Sequence, residues 1–259
     1  MTLAPSFSLL VHAHSKTGKT TLAGTCPPPV LMLDAEGRSR FLPLSEYITA
    51  FYGRPVRLTS WVPTGPPPRY DGTWDICVVY VGDWATVVNT VQWLHVGQHD
   101  FKSVVVDSIT ELQRKCKTNL KGTEAMKIQD WGELLTQMDT VIRTGLRDLT
   151  LHPTNPIDVV MFIAETRQSN GKWKPYMQGQ IEVALPYWMD IIGYLYIETL
   201  QDANGQTGQE VRRLLISQHP LYEAGEAVQG RLGRIIEQPN VYQMYHQLFG
   251  DQIQMKENA

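Results

Sequence analysis

The chain has 259 residues, of which 42% are hydrophobic and 19% charged, with a formal net charge of −3. That suits a soluble globular protein with one substantial core, and no apolar run approaches the roughly 20 residues that cross a bilayer. Chains whose main task is nucleic-acid binding are usually basic, so any DNA binding here must use a local patch.

The N-terminal MTLAPSFSLLVHAH lacks the positive start and cleavage site of a signal peptide and reads as the first strand. Cys26, Cys77 and Cys116 are odd in number and widely spaced, which points to neither disulfides nor zinc. A reducing cytoplasm is therefore the expected location, without a membrane partner.

Taken in order, Phe7–Val11 is a predicted strand, followed by the loop HAHSKTGKTTL and a helix from about Lys19 to Thr25 that Pro27, Pro28 and Pro29 stop. Val30–Gly37 (VLMLDAEG) is a continuous apolar run ending in acids, as in a parallel strand buried on both faces. The Pro/Gly-rich 60–73 stretch is expected to be an exposed loop. Ile76–Val81 is a strand, Trp84–Val96 has helical spacing, and Val104–Asp107 is a further buried strand. Helices are predicted over Ile109–Leu120 and Ile128–Leu149, and a strand over Val159–Ala164. Ile191–Leu200 and Arg212–Gln218 form an antiparallel pair across the turn DANGQTG. A final helix spans Val241–Phe249. The whole is one domain, 1–259, with a core of about 6–240 and a C-terminal helix and tail from 241. Alternating strands and helices predict an α/β fold: a mostly parallel central sheet, helices on both faces, and a C-terminal antiparallel extension. Ligands of such sheets bind beyond the carboxyl ends of the strands.

The phosphate-loop pattern G-x-x-x-x-G-K-[ST] is met by Ala13, His14, Ser15, Lys16, Thr17, Gly18, Lys19 and Thr20, with Thr21 following and alanine replacing the first glycine. Gly18 lets the backbone approach phosphate, Lys19 would contact the β- and γ-phosphates, and the Thr20 hydroxyl would bind Mg²⁺. His14 could touch phosphate, although a strand-end histidine with a backbone partner is commoner. Asp107 closes the strand SVVVD and would hold Mg²⁺; alternatively it caps the next helix. Glu36, in LDAEG, is the candidate base that activates water, or else a surface turn acid. ATP and Mg²⁺ are the implied cofactors.

The blocks VHAHSKTGKTTL, LMLDAEGRSRFL, VVVDSITEL and VVMFIAETR, in that order, resemble the RecA recombinase core. The resemblance extends to small phage-encoded RecA-like ATPases of single-strand annealing and recombination, whose D-I-x-G-Y-L block is similar to Asp190–Leu195. It covers about residues 6–240 and implies a RecA-like P-loop ATPase with Glu36 as catalytic carboxylate. It also places Glu165 at the γ-phosphate-sensing switch, where the family has Asn-Gln; a carboxylate there needs a partner such as Arg167 or Mg²⁺. The chain starts almost at the first core strand, so oligomerisation is expected to use the core itself.

The family's DNA loop falls on Arg167–Gln180. There Arg167, Lys172 and Lys174 alternate with Trp173 and Tyr176, a pattern suited to single-stranded DNA. A solvated hairpin with Trp173 packed on the core is the alternative. The cluster Arg114, Lys115, Lys117, Lys121 and Lys127 is either a second DNA loop or a solvated helix face. Arg231 and Arg234 are candidates for a cation acting across a homo-oligomer interface, or else surface charges. The expected function is an ATP-dependent, single-stranded DNA-binding recombinase that promotes annealing or strand pairing, with a single-stranded DNA-binding protein as a further partner. A phage-encoded chain would work in the host cytoplasm. The alternative is a P-loop switch or assembly factor acting on a protein partner. A small-molecule kinase is a weaker third option, since no lid or acceptor site is legible.

Overall fold

A computed structural model of the protein describes residues 4–201 and 207–257. The elements run β1 (Phe7–Ala13), α1 (Lys19–Ala23), β2 (Val30–Asp34), α2 (Glu46–Tyr52), β3 (Leu58–Ser60), β4 (Ile76–Tyr80), α3 (Trp84–His95), β5 (Ser103–Asp107) and α4 (Ile109–Lys121). The second half adds α5 (Ile128–Met138), β6 (Val159–Ser169), β7 (Lys172–Pro175), α6 (Ile181–Ala184), β8 (Ile191–Gln201), β9 (Thr207–Leu215), β10 (Gly225–Glu226), β11 (Ile235–Glu237) and α7 (Val241–Glu257).

The strands form an 11-stranded sheet in the order β11-β9-β8-β1-β6-β5-β2-β4-β3, with β10 against β8 and β7 against β6. From β8 to β3 the pairing is parallel; β9, β10 and β11 are antiparallel additions. This is the predicted α/β class. β6 separates β1 from β5, so the phosphate-loop strand and the Asp107 strand are not neighbours. Of the predicted turn DANGQTG, Asp202–Gln206 lie outside the described residues and Thr207 and Gly208 already belong to β9, which ends at Leu215 rather than Gln218 and pairs antiparallel with β8 as expected.

β1, β2 and β5 are buried at every position because helices cover both faces. Leu10, Leu31, Leu33, Val104 and Val106 face α3, α4 and α5. Leu9, Val11, Met32, Val105 and Ile163 face α1, α2 and α7. The C-terminal helix belongs to the core rather than standing outside it, since Val241, Met244, Tyr245 and Leu248 are buried there.

The Asp190–Leu195 block has a packing explanation. Asp190 accepts from the Ser8 backbone N–H (2.7 Å) and hydroxyl (2.8 Å), which pins the start of β8 to β1. At Gly193 an added Cβ would lie 2.6 Å from Leu214 Cδ1, so only glycine lets β9 close on β8 here.

Three expectations need correction. The P-loop helix is shorter than predicted and ends at Gly24, before the prolines. Ser60 belongs to β3, and the 60–73 loop is tethered: Trp61 is buried on Phe101, with its indole N–H bonded to Gly65 O. The long helix after Ile128 changes character. Asp139–Leu146 is π-helical and Arg147–Leu151 is 3-10, and this lets Gly145 approach Val91 of α3.

Candidate functional site

The carboxyl ends of β1, β2 and β5 converge on one cleft of about 240 Å³, lined by Lys16, Gly18, Lys19, Thr20, Thr21, Glu36, Arg38, Phe41, Leu42 and Asp107. The loop from Ala13 to Thr21 turns tightly, with Lys16 at φ 63 and Gly18 at φ 94. Glycine suits the left-handed value at 18. The Thr17 hydroxyl donates to the His14 carbonyl, and Leu22 N–H to Gly18 O at 2.9 Å. Alanine is tolerated in place of the first glycine because Ala13 still lies in extended β1, its methyl buried in the core. Ser15 and His14 are exposed on the loop.

Lys19 bonds the carbonyls of Ala13 (3.0 Å) and His14 (2.9 Å), so its ammonium is held over the loop. Burial lowers its pKa, opposed by the Asp107 and Glu36 carboxylates. The Thr20 hydroxyl donates to Asp107 Oδ2 at 2.6 Å. Asp107 is 2% exposed. Burial raises its pKa to about 6, with Glu36 and Asp34 adding to the rise and the Thr20 hydrogen bond and Lys19 opposing it. Asp107 does not cap α4; the neighbouring Ser108 does, accepting from Glu111 N–H. The Asp107–Ser108 peptide is cis.

Glu36 is not a free surface acid. Ser108 Oγ donates to its Oε1 at 2.7 Å, and Arg38 Nε lies 2.9 Å from its Oε2. The turn that presents it is organised by Asp34, at the end of β2. Asp34 accepts from the backbone N–H groups of Glu36, Gly37, Arg38 and Ser39 and from the Ser39 hydroxyl. Sequence reasoning passed over Asp34 as a positioning residue, although an acid closing a strand just before a glycine turn is a legible signal. It also passed over Phe41, a 55% exposed aromatic on the cleft wall.

Glu165 stands opposite Ala13 in the β1–β6 register. Its partner is Arg114 of α4 (3.0 Å), which also holds Glu111 (2.8 Å). The expected Arg167 instead lies over the Tyr176 ring, 5.3 Å from its centroid. Three further cations of the predicted cluster, all on α4, have partners within the chain. Lys121 pairs with Asp130, Lys115 reaches Gly82 O, and Lys117 lies over Trp131.

The Arg167–Gln180 segment forms a β6–β7 hairpin turning at Asn170 and Gly171, both with positive φ. Trp173 meets the His14 ring edge-on at 4.6 Å, and its backbone is strapped to Leu221 and Glu223. Lys172 pairs with Glu223 at 3.1 Å and Lys174 approaches Glu182 at 3.8 Å. Behind this contact His12 is fully buried and bonds Thr166 Oγ1 (3.0 Å) and Glu223 O (2.7 Å).

Arg231 and Arg234 are exposed. Arg231 bonds Leu248 O near the amino-terminal end of β1, where Phe7 stacks on Phe249. It is therefore remote from the cleft of its own chain. Among the described residues no group of three or more His, Cys, Asp or Glu side chains gathers as a metal site, and no helix is long and apolar enough to cross a membrane.

No curated protein matches the chain. Among solved structures it is similar to a prototypical ATPase from the type III secretion system of pathogenic bacteria, at 12% identity and TM-score 0.46. That alignment covers 74% of this chain and 52% of the other, so this chain spans about half the length of that ATPase. A family described as AAA domain matches residues 6–228, a stretch that contains the loop Ala13–Thr21, the Glu36 turn and Asp107. The chain belongs to this AAA domain family and carries a P-loop ATPase core.

Proposed function

We propose that the protein is a Mg²⁺-dependent ATPase that binds single-stranded DNA as a homo-oligomer and promotes annealing or strand pairing in homologous recombination, as in phage systems. One observation carries the ATPase part: Lys19, Thr20, Asp107 and Glu36, from three separate strand ends, line one cleft. The Thr20 hydroxyl and the Asp107 carboxylate are hard oxygen donors 2.6 Å apart. That donor pair fits Mg²⁺, which takes its remaining ligands from water and nucleotide phosphates. When bound, the ion would neutralise phosphate charge. Lys19 binds the phosphate chain. Glu36, oriented by Ser108 and Arg38, accepts the proton of the attacking water. The paired Glu165 sits where the resemblance puts a γ-phosphate sensor.

The DNA part is supported by the β6–β7 hairpin, where Trp173 touches His14 of the phosphate loop. Through that contact nucleotide binding would move an aromatic, cationic hairpin. A single-stranded DNA-binding protein is a natural further partner, and the host cytoplasm the location for a phage-encoded chain. Titration of single-stranded DNA with a slowly hydrolysed ATP analogue tests this. Binding should fall steeply with salt, and Trp173→Ala should weaken it about 5- to 100-fold, on the scale of one base stack. Absence of DNA binding with the analogue would refute the recombinase role and leave the ATPase standing.

A second reading, a nucleotide switch acting on a protein partner, is favoured by a specific observation. The hairpin cations Lys172 and Lys174 already face Glu223 and Glu182, and the net charge is −3. Arg231 and Arg234 remain candidates for a cation reaching a neighbouring subunit.

A further inference from the structure

Alternation along β9 puts Arg212 and Leu214 on one face, and Ile216 follows just past the end of the strand. Leu214 and Ile216 are buried in the core with Leu22 and Ala23 of α1. Arg212 is the next residue on that face toward the carboxyl end of the parallel sheet, and the β8–β9 register sets it opposite Ile197. Tyr194 of β8 is level with His12 of β1, so Ile197 and Arg212 stand beyond the end of β1, at the height of the phosphate loop.

The side chain meets that loop. A Cβ placed on Gly18 would lie 2.8 Å from Arg212 Cζ and Nε and 3.0 Å from Nη2. The guanidinium is thus in van der Waals contact with the loop backbone. From α2, Tyr47 covers it with its ring, the centroid 5.5 Å from Cζ, and the Tyr47 hydroxyl is fixed by the Pro239 carbonyl at 2.8 Å. Arg212 Nε is buried without a hydrogen-bond partner. Among the described residues no carboxylate forms an ion pair with it, whereas the neighbouring Arg213 is held by both Glu198 and Glu237.

A guanidinium held against a backbone loop without an acid is a site for an anion. The sheet order sets which part of the anion. Asp107, Glu36 and Glu165 all lie toward β6, β5 and β2, while β8 and β9 lie on the opposite side of β1.

We propose that Arg212 is a phosphate-binding residue of the nucleotide site, supplied in cis by the C-terminal antiparallel strands. It contacts the phosphates nearer the nucleoside, away from the acidic side where the metal is held. This rests on the P-loop reading and adds a ligand-contacting residue from outside its motifs. It also gives the antiparallel extension a role, because β9 carries the cation and its partner strand β8 is hydrogen-bonded to the phosphate-loop strand.

The test is calorimetric affinity for ADP, a slowly hydrolysed ATP analogue and adenosine, on wild type, Arg212→Gln, Arg212→Lys and Lys19→Ala. Glutamine and lysine both keep an unbranched polar side chain but only lysine keeps the positive charge, so their difference reads the charge. The expected result is a loss of roughly 10- to 100-fold for both ADP and the analogue in Arg212→Gln, the scale of one charge-assisted hydrogen bond. Arg212→Lys should recover much of it, and adenosine affinity should not move. Wild-type ADP affinity in Arg212→Gln, with analogue binding lost in Lys19→Ala, would overturn the proposal and spare the P-loop reading. Equal losses in Arg212→Gln and Arg212→Lys that extend to adenosine would overturn it too, as a packing effect. Full analogue affinity in Lys19→Ala would sink the P-loop reading itself, and the proposal with it.

Discussion

Acid should destabilise this protein through His12, and the effect can be worked out from its surroundings. His12 is completely buried at the end of β1. Its Nε2 faces the Glu223 carbonyl, an acceptor only, so the neutral ring carries its proton on Nε2 and leaves Nδ1 unprotonated beside the Thr166 hydroxyl, 3.0 Å away. Burial lowers the pKa from 6.5 to about 4; the Glu223 hydrogen bond opposes this, and the charges of Lys19, His14 and Lys172 reinforce it. Between those two values the unfolded chain binds the proton that the folded one refuses, so stability falls as pH falls. From pH 7 to pH 5 the linkage relation gives a loss of about 2 kcal/mol from this one group.

Urea unfolding at several pH values, on wild type and His12→Gln, reads it. Glutamine keeps a donor toward Glu223 O but cannot be protonated. Its stability should therefore decline less between pH 7 and 5, by about 2 kcal/mol. His99, also buried and lowered to about 4, is present in both proteins and cancels in the difference. Parallel pH profiles for the two proteins would refute the reasoning, whatever their offset.

Other outcomes follow from the site. Asp34→Ala strips the Glu36 turn of the acceptor for four backbone N–H groups. It should cost about 2–4 kcal/mol, seen as a melting temperature lower by roughly 5–10 °C, with turnover falling as well. Arg114→Ala leaves the Glu165 carboxylate unpaired beside the phosphate loop. Calorimetry should show affinity for an ATP analogue reduced roughly 3- to 10-fold by that repulsion. Arg114→Ala combined with Glu165→Gln should regain it; no recovery in the double variant would show that Arg114 acts otherwise than by neutralising Glu165.

The parallel half of the fold was legible because its strands are unbroken apolar runs. Each ends in the residues that matter: Ala13 into the phosphate loop, Asp34 before Glu36, and Asp107 before Ser108. Burial on both faces and chemistry at the carboxyl ends leave that pattern in the sequence directly. The short elements α2, β10 and β11 left none, since at seven, two and three residues they carry no measurable period. Partners were harder still. That Glu165 meets Arg114, 51 positions away, depends on how α4 crosses the sheet. Nothing local marks Arg212 as a neighbour of Gly18, because that contact needs β9 to pair with β8 and β8 with β1.

The central claim is that Glu36 activates water at a site where Lys19, Thr20 and Asp107 hold the nucleotide and its metal. Single-turnover hydrolysis of Mg²⁺-ATP by Glu36→Gln, with nucleotide affinity measured on the same sample, tests it most directly. The account predicts a rate at least about 100-fold below wild type, with affinity changed little. A Glu36→Gln protein that hydrolyses ATP at the wild-type rate would contradict it.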